Sequence, residues 1–189
     1  MNIGLYFGSF NPVHIGHLIV ASHVANHTEI QQVWFVVSPQ NPLKPSSVLL
    51  NEYDRFHLVR LAVEDDQRLK ASDVEFGLPR PSFTIDTLIY LEEKYPQHEF
   101  SIIMGSDSFR NLPNWKNFEL LVKNYSFLIY KRPGFGVRDT WNAKTTILQA
   151  PLLEISATEI RNNSKAGKTI RYLVPEKVRE EIENNRYYK

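Results

Sequence analysis

The chain has no cysteine among its 189 residues. That absence excludes thiol nucleophiles, disulfide staples and cysteine-ligated zinc, and it fits a reducing compartment, so a cytoplasmic location is the expectation. Excess charge is missing too. Lysine plus arginine is 22 and aspartate plus glutamate is 21, a net charge of +1, far from the basic field of a protein that coats nucleic acid. An anion must therefore be gripped locally. No apolar run approaches the roughly 20 residues of a membrane helix; Val33-Trp34-Phe35-Val36-Val37 is typical of the longest. Met1-Asn2-Ile3-Gly4 carries no basic leader, so neither membrane insertion nor processing is expected. With 42% hydrophobic and 23% charged residues the composition supports a core and excludes disorder. The length suits one domain over residues 1–189.

Asn2–Phe7, Gln32–Val37, Glu99–Met104 and Tyr125–Tyr130 are short and almost continuously apolar, the pattern of strands covered on both faces of a parallel sheet. Helical patterns alternate with them at Ile15–Asn26, Glu52–Glu64, Phe83–Lys94 and Trp115–Lys123. Val178, Ile182 and Tyr187 share one stripe after Pro175, predicting a terminal helix docked on the body. The fold class is thus α/β, a Rossmann-like parallel sheet flanked by helices, with a C-terminal helical element. Two long irregular stretches, 38–51 and 131–144, have the length of functional loops.

The densest chemical signal is Gly8-Ser9-Phe10-Asn11-Pro12-Val13-His14-Ile15-Gly16-His17. It joins the first strand to the first helix, the turn where open parallel sheets bind ligands. Gly8 permits close approach of the backbone, and a helix beginning near Val13 would put His14 and His17 on one face beside unpaired amides and the positive dipole end. Such a corner favours polyphosphate. Neither the Walker nor the dinucleotide glycine pattern is present. A metal reading of His14 with His17, or of His23 with His27, finds no residue to complete a ligand set, so no protein-held metal is expected; His23 and His27 read as solvated. A second corner follows in Ile155-Ser156-Ala157-Thr158-Glu159-Ile160-Arg161. Ser156 and Glu159 fit a capping box, and Thr158 with Arg161 adds a hydroxyl and a permanent cation beside a helix start.

Those two segments, about 140 residues apart, resemble the Gly-x-Phe-x-Pro-x-His-x-Gly-His and Ile-Ser-x-Thr-x-Ile-Arg signatures of the nucleotidylyltransferase superfamily. Within it the chain is similar, over nearly its whole length, to the bacterial nicotinate-nucleotide adenylyltransferase family. The supporting segments are Pro42-Leu43-Lys44, Pro81-Ser82-Phe83-Thr84, Ile103 to Ser108, Leu112-Pro113-Asn114-Trp115 and Lys131-Arg132-Pro133-Gly134. Many relatives carry histidine at the position of Leu43 and tyrosine at that of Phe83. The resemblance implies transfer of AMP from ATP to nicotinate mononucleotide, giving nicotinate adenine dinucleotide and pyrophosphate in NAD biosynthesis. It implies catalytic roles for His14, His17 and Arg161. The ATP site it implies comprises Gly8, Ser9, Phe10, His14, His17, Gly105, Asp107, Ile155, Ser156, Thr158 and Arg161, with Mg2+ carried on ATP. For nicotinate mononucleotide it implies Lys44, Thr84, Asp107 and Trp115: a mobile cation, a polar handle at a helix start, a ribose contact and a stacking face. Lys131 and Arg132 read either as a solvated pair or as a cover on the nucleotide. The rival readings are another adenylyl or cytidylyl transferase, such as the phosphopantetheine enzyme, and a nucleotide-binding module without turnover. Neither nucleic acid nor membrane is an expected partner, and a homo-oligomer is left open.

Overall fold

The structure is a computed structural model, and it describes residues 1–40, 49–137, 140–151 and 154–189. Six strands form one parallel sheet: β1 (Asn2–Gly8), β2 (Gln32–Val37), β3 (Leu69–Ser72), β4 (Glu99–Gly105), β5 (Ser126–Tyr130) and β6 (Lys144–Leu148). Their order is β3-β2-β1-β4-β5-β6, with every pairing parallel. The chain thus runs outward from β1 to β3, then crosses to β4 and runs outward the other way. The reversal lies between β1 and β4, and the crevice above their carboxyl ends is where such sheets bind ligands.

Alternation along each central strand feeds two cores. Tyr6, Phe35, Ile103 and Leu128 point to one face, where α1 (Ile15–His27), α2 (Glu52–Val63), α6 (Ala157–Lys165) and α7 (Glu176–Asn184) bury Val24, Leu58, Ile160 and Val178. Ile3, Leu5, Ile102 and Phe127 point to the other, against Leu88 of α3 (Thr84–Lys94), Phe109 of α4 (Ser106–Arg110) and Leu121 of α5 (Phe118–Asn124). Full burial of each such side chain contributes about 1.5–3 kcal/mol, enough to hold the helices in register on the sheet. The C-terminal helix docks as its stripe predicts, with Val178 and Ile182 fully buried and α7 against α2.

Several boundaries differ from expectation. The first helix begins at Ile15 instead of Val13, with His14 as its extended N-cap. The helix expected from Trp115 begins at Phe118, because Asn117 is left-handed (φ 52°) and Trp115 closes a short 3-10 turn, Leu112–Asn114. Tyr125 caps α5 and β5 begins at Ser126. The edge strands β3 and β6 and the short α4 carry too little apolar periodicity to announce themselves.

The loops above the sheet are tied by one side chain. Arg55 of α2 is 0% exposed. Its Nε donates to the Leu50 carbonyl at 2.8 Å, Nη1 to those of Ser9 at 2.6 Å and Ser38 at 2.9 Å, and Nη2 to that of Pro39 at 3.0 Å. A guanidinium satisfied by carbonyls from three segments fixes the turns after β1 and β2 together. Arg55→Leu strands these buried acceptors, and we expect a loss of about 3 kcal/mol in unfolding free energy. Urea unfolding checks this; a midpoint unchanged from wild type would contradict the role.

Candidate active site

The first phosphate corner grows from the end of β1. Phe10 takes a left-handed backbone, φ 45°, which is costly for a bulky residue and persists only where the surroundings impose it. Its ring folds back over Gly8, where an added Cβ would come within 2.9 Å of Phe10 Cζ. The chain then enters α1 through His14. The two imidazoles stack, with centroids 3.7 Å apart at 25°, and the His14 backbone N–H donates to His17 Nδ1 at 3.2 Å. In a neutral His17 ring the proton therefore sits on Nε2, so that atom is a donor.

The amides of this helix start are less open than the sequence implies. Besides the His14 amide, that of Ile15 is engaged, donating to the Leu173 carbonyl at 2.9 Å. This corrects the expectation of a turn of unpaired amides: what the corner offers to an anion is mainly side chains. The correction extends to charge. His14 is 4% exposed, and burial, reinforced by the Arg132 cation, holds its pKa down to about 4. At neutral pH it is an uncharged donor and acceptor, and the cations nearby are arginines.

The second corner arrives from α6. The Ser156 hydroxyl accepts the Glu159 amide at 3.1 Å, as the capping pattern predicts. Arg161 lies one turn further on. Its Nη1 donates to the Asn11 carbonyl at 2.8 Å and its Nη2 to Thr158 Oγ1 at 3.2 Å. A contact spanning 150 positions thus joins the two segments. A second cation, Arg132, comes from the end of β5. Its amide donates to Ser106 Oγ at 2.9 Å, Nη2 donates to Tyr130 Oη at 3.3 Å, and the guanidinium lies 5.2 Å from the Tyr130 ring centroid. Of its two sequence readings, the pocket role is the one its position fits: it lines the cleft.

A single cleft of about 810 Å³ collects these groups. Its walls include Gly8, Ser9, Phe10, His14, His17, Gly105, Asp107, Ile155, Ser156, Thr158 and Arg161, together with Thr84 and Trp115. Lys44 and Leu43 lie outside the described residues. Gly105 ends β4 opposite Gly8, and an added Cβ there would stand 2.3 Å from Asp107 Oδ1; only glycine lets that carboxylate fold over the strand end. Three buried polar atoms on the cleft wall, Ser9 Oγ, His14 Nδ1 and Arg132 Nε, have no hydrogen-bond partner among the described residues. No cluster of three or more histidine, aspartate or glutamate side chains suited to a metal occurs among the described residues. His23 and His27 lie against each other away from the cleft, with ring centroids 4.5 Å apart and tilted by 38°.

Sequence reasoning missed Arg55 and Glu75. A lone charge in an amphipathic helix or a polar turn reads as solvated, and no motif marks either.

A parallel sheet with a histidine pair and an arginine-bearing helix start over its switch point, and no Walker loop, is an architecture suited to a nucleotidyl-transferring α/β protein. The comparisons narrow this. The cytidylyltransferase-like family model matches residues 5–163. The chain is 49% identical to the probable nicotinate-nucleotide adenylyltransferase of Cytophaga hutchinsonii, over 100% of this chain and 98% of the relative. It is 48% identical to that of Flavobacterium psychrophilum, over the full length of both. The solved nicotinic acid mononucleotide adenylyltransferase of Plasmodium falciparum, complexed with NaAD, superposes with a TM-score of 0.84 at 23% identity, covering 99% of this chain and 97% of that one. The chain belongs to the cytidylyltransferase-like family, and within it to the nicotinate-nucleotide adenylyltransferases.

The depressed His14 pKa has a measurable consequence. The unfolded chain takes up a proton near pH 6.5 that the folded chain refuses until about pH 4. The resulting stability is complete above pH 6.5 and is lost as pH falls toward 4. Between pH 7 and pH 5 wild type should lose roughly 2 kcal/mol more than His14→Asn. Chemical unfolding of both proteins at the two pH values tests this, and equal losses would contradict it.

Proposed function

We infer that this protein transfers the adenylyl group of ATP to nicotinate mononucleotide, releasing pyrophosphate and forming nicotinate adenine dinucleotide, a step of NAD biosynthesis. The observation that carries the reading is the convergence of His17 and Arg161 on one cleft, joined through Asn11. The names of the full-length relatives agree with it.

The reaction needs no protein nucleophile. A phosphate oxygen of nicotinate mononucleotide attacks the α-phosphorus of ATP, a new P–O bond forms, and the bond to the β-phosphate bridging oxygen breaks. The protein supplies alignment and stabilises charge that moves onto pyrophosphate. In our reading His17 Nε2–H and the Arg161 guanidinium face the triphosphate. His14, uncharged and buried, donates from its ring without adding a cation, and the Ser9, Ser156 and Thr158 hydroxyls complete the cradle, with Phe10 and Ile155 shaping its walls. Mg2+ enters as part of the MgATP substrate, held by phosphate oxygens and water. Asp107, folded over Gly105, suits ribose hydroxyls.

The acceptor side belongs to the opposite face of the sheet. Trp115 offers a partly exposed ring, and Thr84 is the first residue of α3. The backbone there is open to an anion: Phe83, the N-cap, makes no side-chain cap. Lys44 is the candidate cation for the same substrate.

A single panel tests the reading: ATP offered with nicotinate mononucleotide, nicotinamide mononucleotide or phosphopantetheine, with pyrophosphate release as the readout. We expect turnover with a pyridine mononucleotide and none with phosphopantetheine; turnover with phosphopantetheine alone, or with no acceptor, would refute it. His17→Ala should lower kcat by about 10²–10³-fold with an unchanged circular dichroism spectrum. Trp115→Ala should raise KM for the pyridine nucleotide more than KM for ATP.

A further inference from the structure

Between β3 and α3 a 3-10 turn, Val74–Gly77, carries Glu75 into the protein. Its carboxylate is 2% exposed, and no ion pair to it occurs among the described residues. Hydroxyls surround it instead. Ser82 Oγ donates to Oε2 at 2.7 Å and Thr87 Oγ1 to Oε1 at 2.9 Å, and the Ser38 hydroxyl, on the same cleft wall, favours its charged form. Burial raises its pKa, and the three hydroxyls oppose that rise.

These partners come from both ends of the cleft. Ser82 and Thr87 bracket Phe83-Thr84, the mouth of α3, and Thr87 Oγ1 reaches the Phe83 carbonyl at 3.3 Å. Ser38 follows β2 and belongs to the phosphate end: its amide donates to the Gly8 carbonyl at 2.9 Å, and its own carbonyl is held by Arg55. The path Gly8–Ser38–Glu75–Ser82/Thr87 therefore runs from the phosphate loop to the acceptor helix, entirely through buried or half-buried groups.

We propose that Glu75 is a positioning residue for the acceptor nucleotide, fastening the mouth of α3 at a fixed setting relative to the phosphate loop. This rests on the adenylyltransferase reading and deepens it. The physical reason is directional. A carboxylate only accepts, so every hydroxyl around it must donate inward, and a single arrangement of Ser82 and Thr87 results. A neutral amide both donates and accepts, letting those hydroxyls turn and the helix mouth shift. In-line attack is sensitive to such shifts, since displacement by an ångström costs up to about a hundredfold in rate.

Steady-state kinetics with ATP and nicotinate mononucleotide test the proposal. Glu75→Gln should raise KM for nicotinate mononucleotide by about tenfold and lower kcat by a similar factor, with KM for ATP within about twofold of wild type. Ser82→Ala and Thr87→Val each remove one donor and keep the carboxylate; each should reproduce the same bias at about threefold. These two carry the test if Glu75→Gln does not fold. Equal increases in both KM values, wild-type kinetics for Glu75→Gln, or an effect there that neither donor substitution reproduces would overturn the proposal. Absence of wild-type turnover with nicotinate mononucleotide would instead refute the activity on which it rests.

Discussion

The bond from the Arg161 guanidinium to the carbonyl of Asn11 is the constraint on which the site depends. Each corner alone is commonplace: a histidine pair at one helix start, a capped helix start at the other. Held together, they bring an arginine and ring N–H groups to one cleft, an arrangement that neither half has alone and on which the proposed grip on a triphosphate depends. The contact in turn relies on packing, because α6 can deliver Arg161 only while Ile160 is buried in the core beneath it.

The sheet divides the work. In the proposed reading, elements on one face supply the side chains for phosphate and those on the other the surfaces for a pyridine nucleotide, with the ends of β1 and β4 between. On that reading the two reactants come from opposite faces and must meet in line, which makes the setting of one face against the other matter to the rate. Buried polar groups at the top of the sheet regulate it. Arg55 satisfies carbonyls and Glu75 satisfies hydroxyls, and complete partnering makes such networks rigid and selective instead of destabilising.

How much of this was legible depended on what each residue's neighbours reveal. The four central strands announce themselves because both faces are apolar, as in Val33–Val37. The edges do not: Leu69-Lys70-Ala71-Ser72 and Lys144-Thr145-Thr146-Ile147-Leu148 are half-polar because one flank meets solvent. Boundary shifts arose from single backbone choices, such as left-handed Asn117, that no periodicity encodes. The motif histidines and Arg161 were readable because spacing placed them at helix starts. Arg55 and Glu75 were not, since their partners are carbonyls and hydroxyls from remote segments, contacts that exist only after folding. The neutral state of His14 was hidden for the same reason, being set by burial and by Arg132 from β5.

The bond from the Ile15 amide to the Leu173 carbonyl has a bearing on how this protein comes into being. Translation delivers the histidine corner first and its arginine counterpart some 140 residues later, and the turn that seals the start of α1 follows after that. A nascent chain that has delivered only β1, α1 and β2 still lacks Leu173 and Arg161, and with them both of these contacts. The cleft can be completed only late in synthesis, because a fragment ending before Arg161 has nothing to hold the Asn11 carbonyl from the second corner.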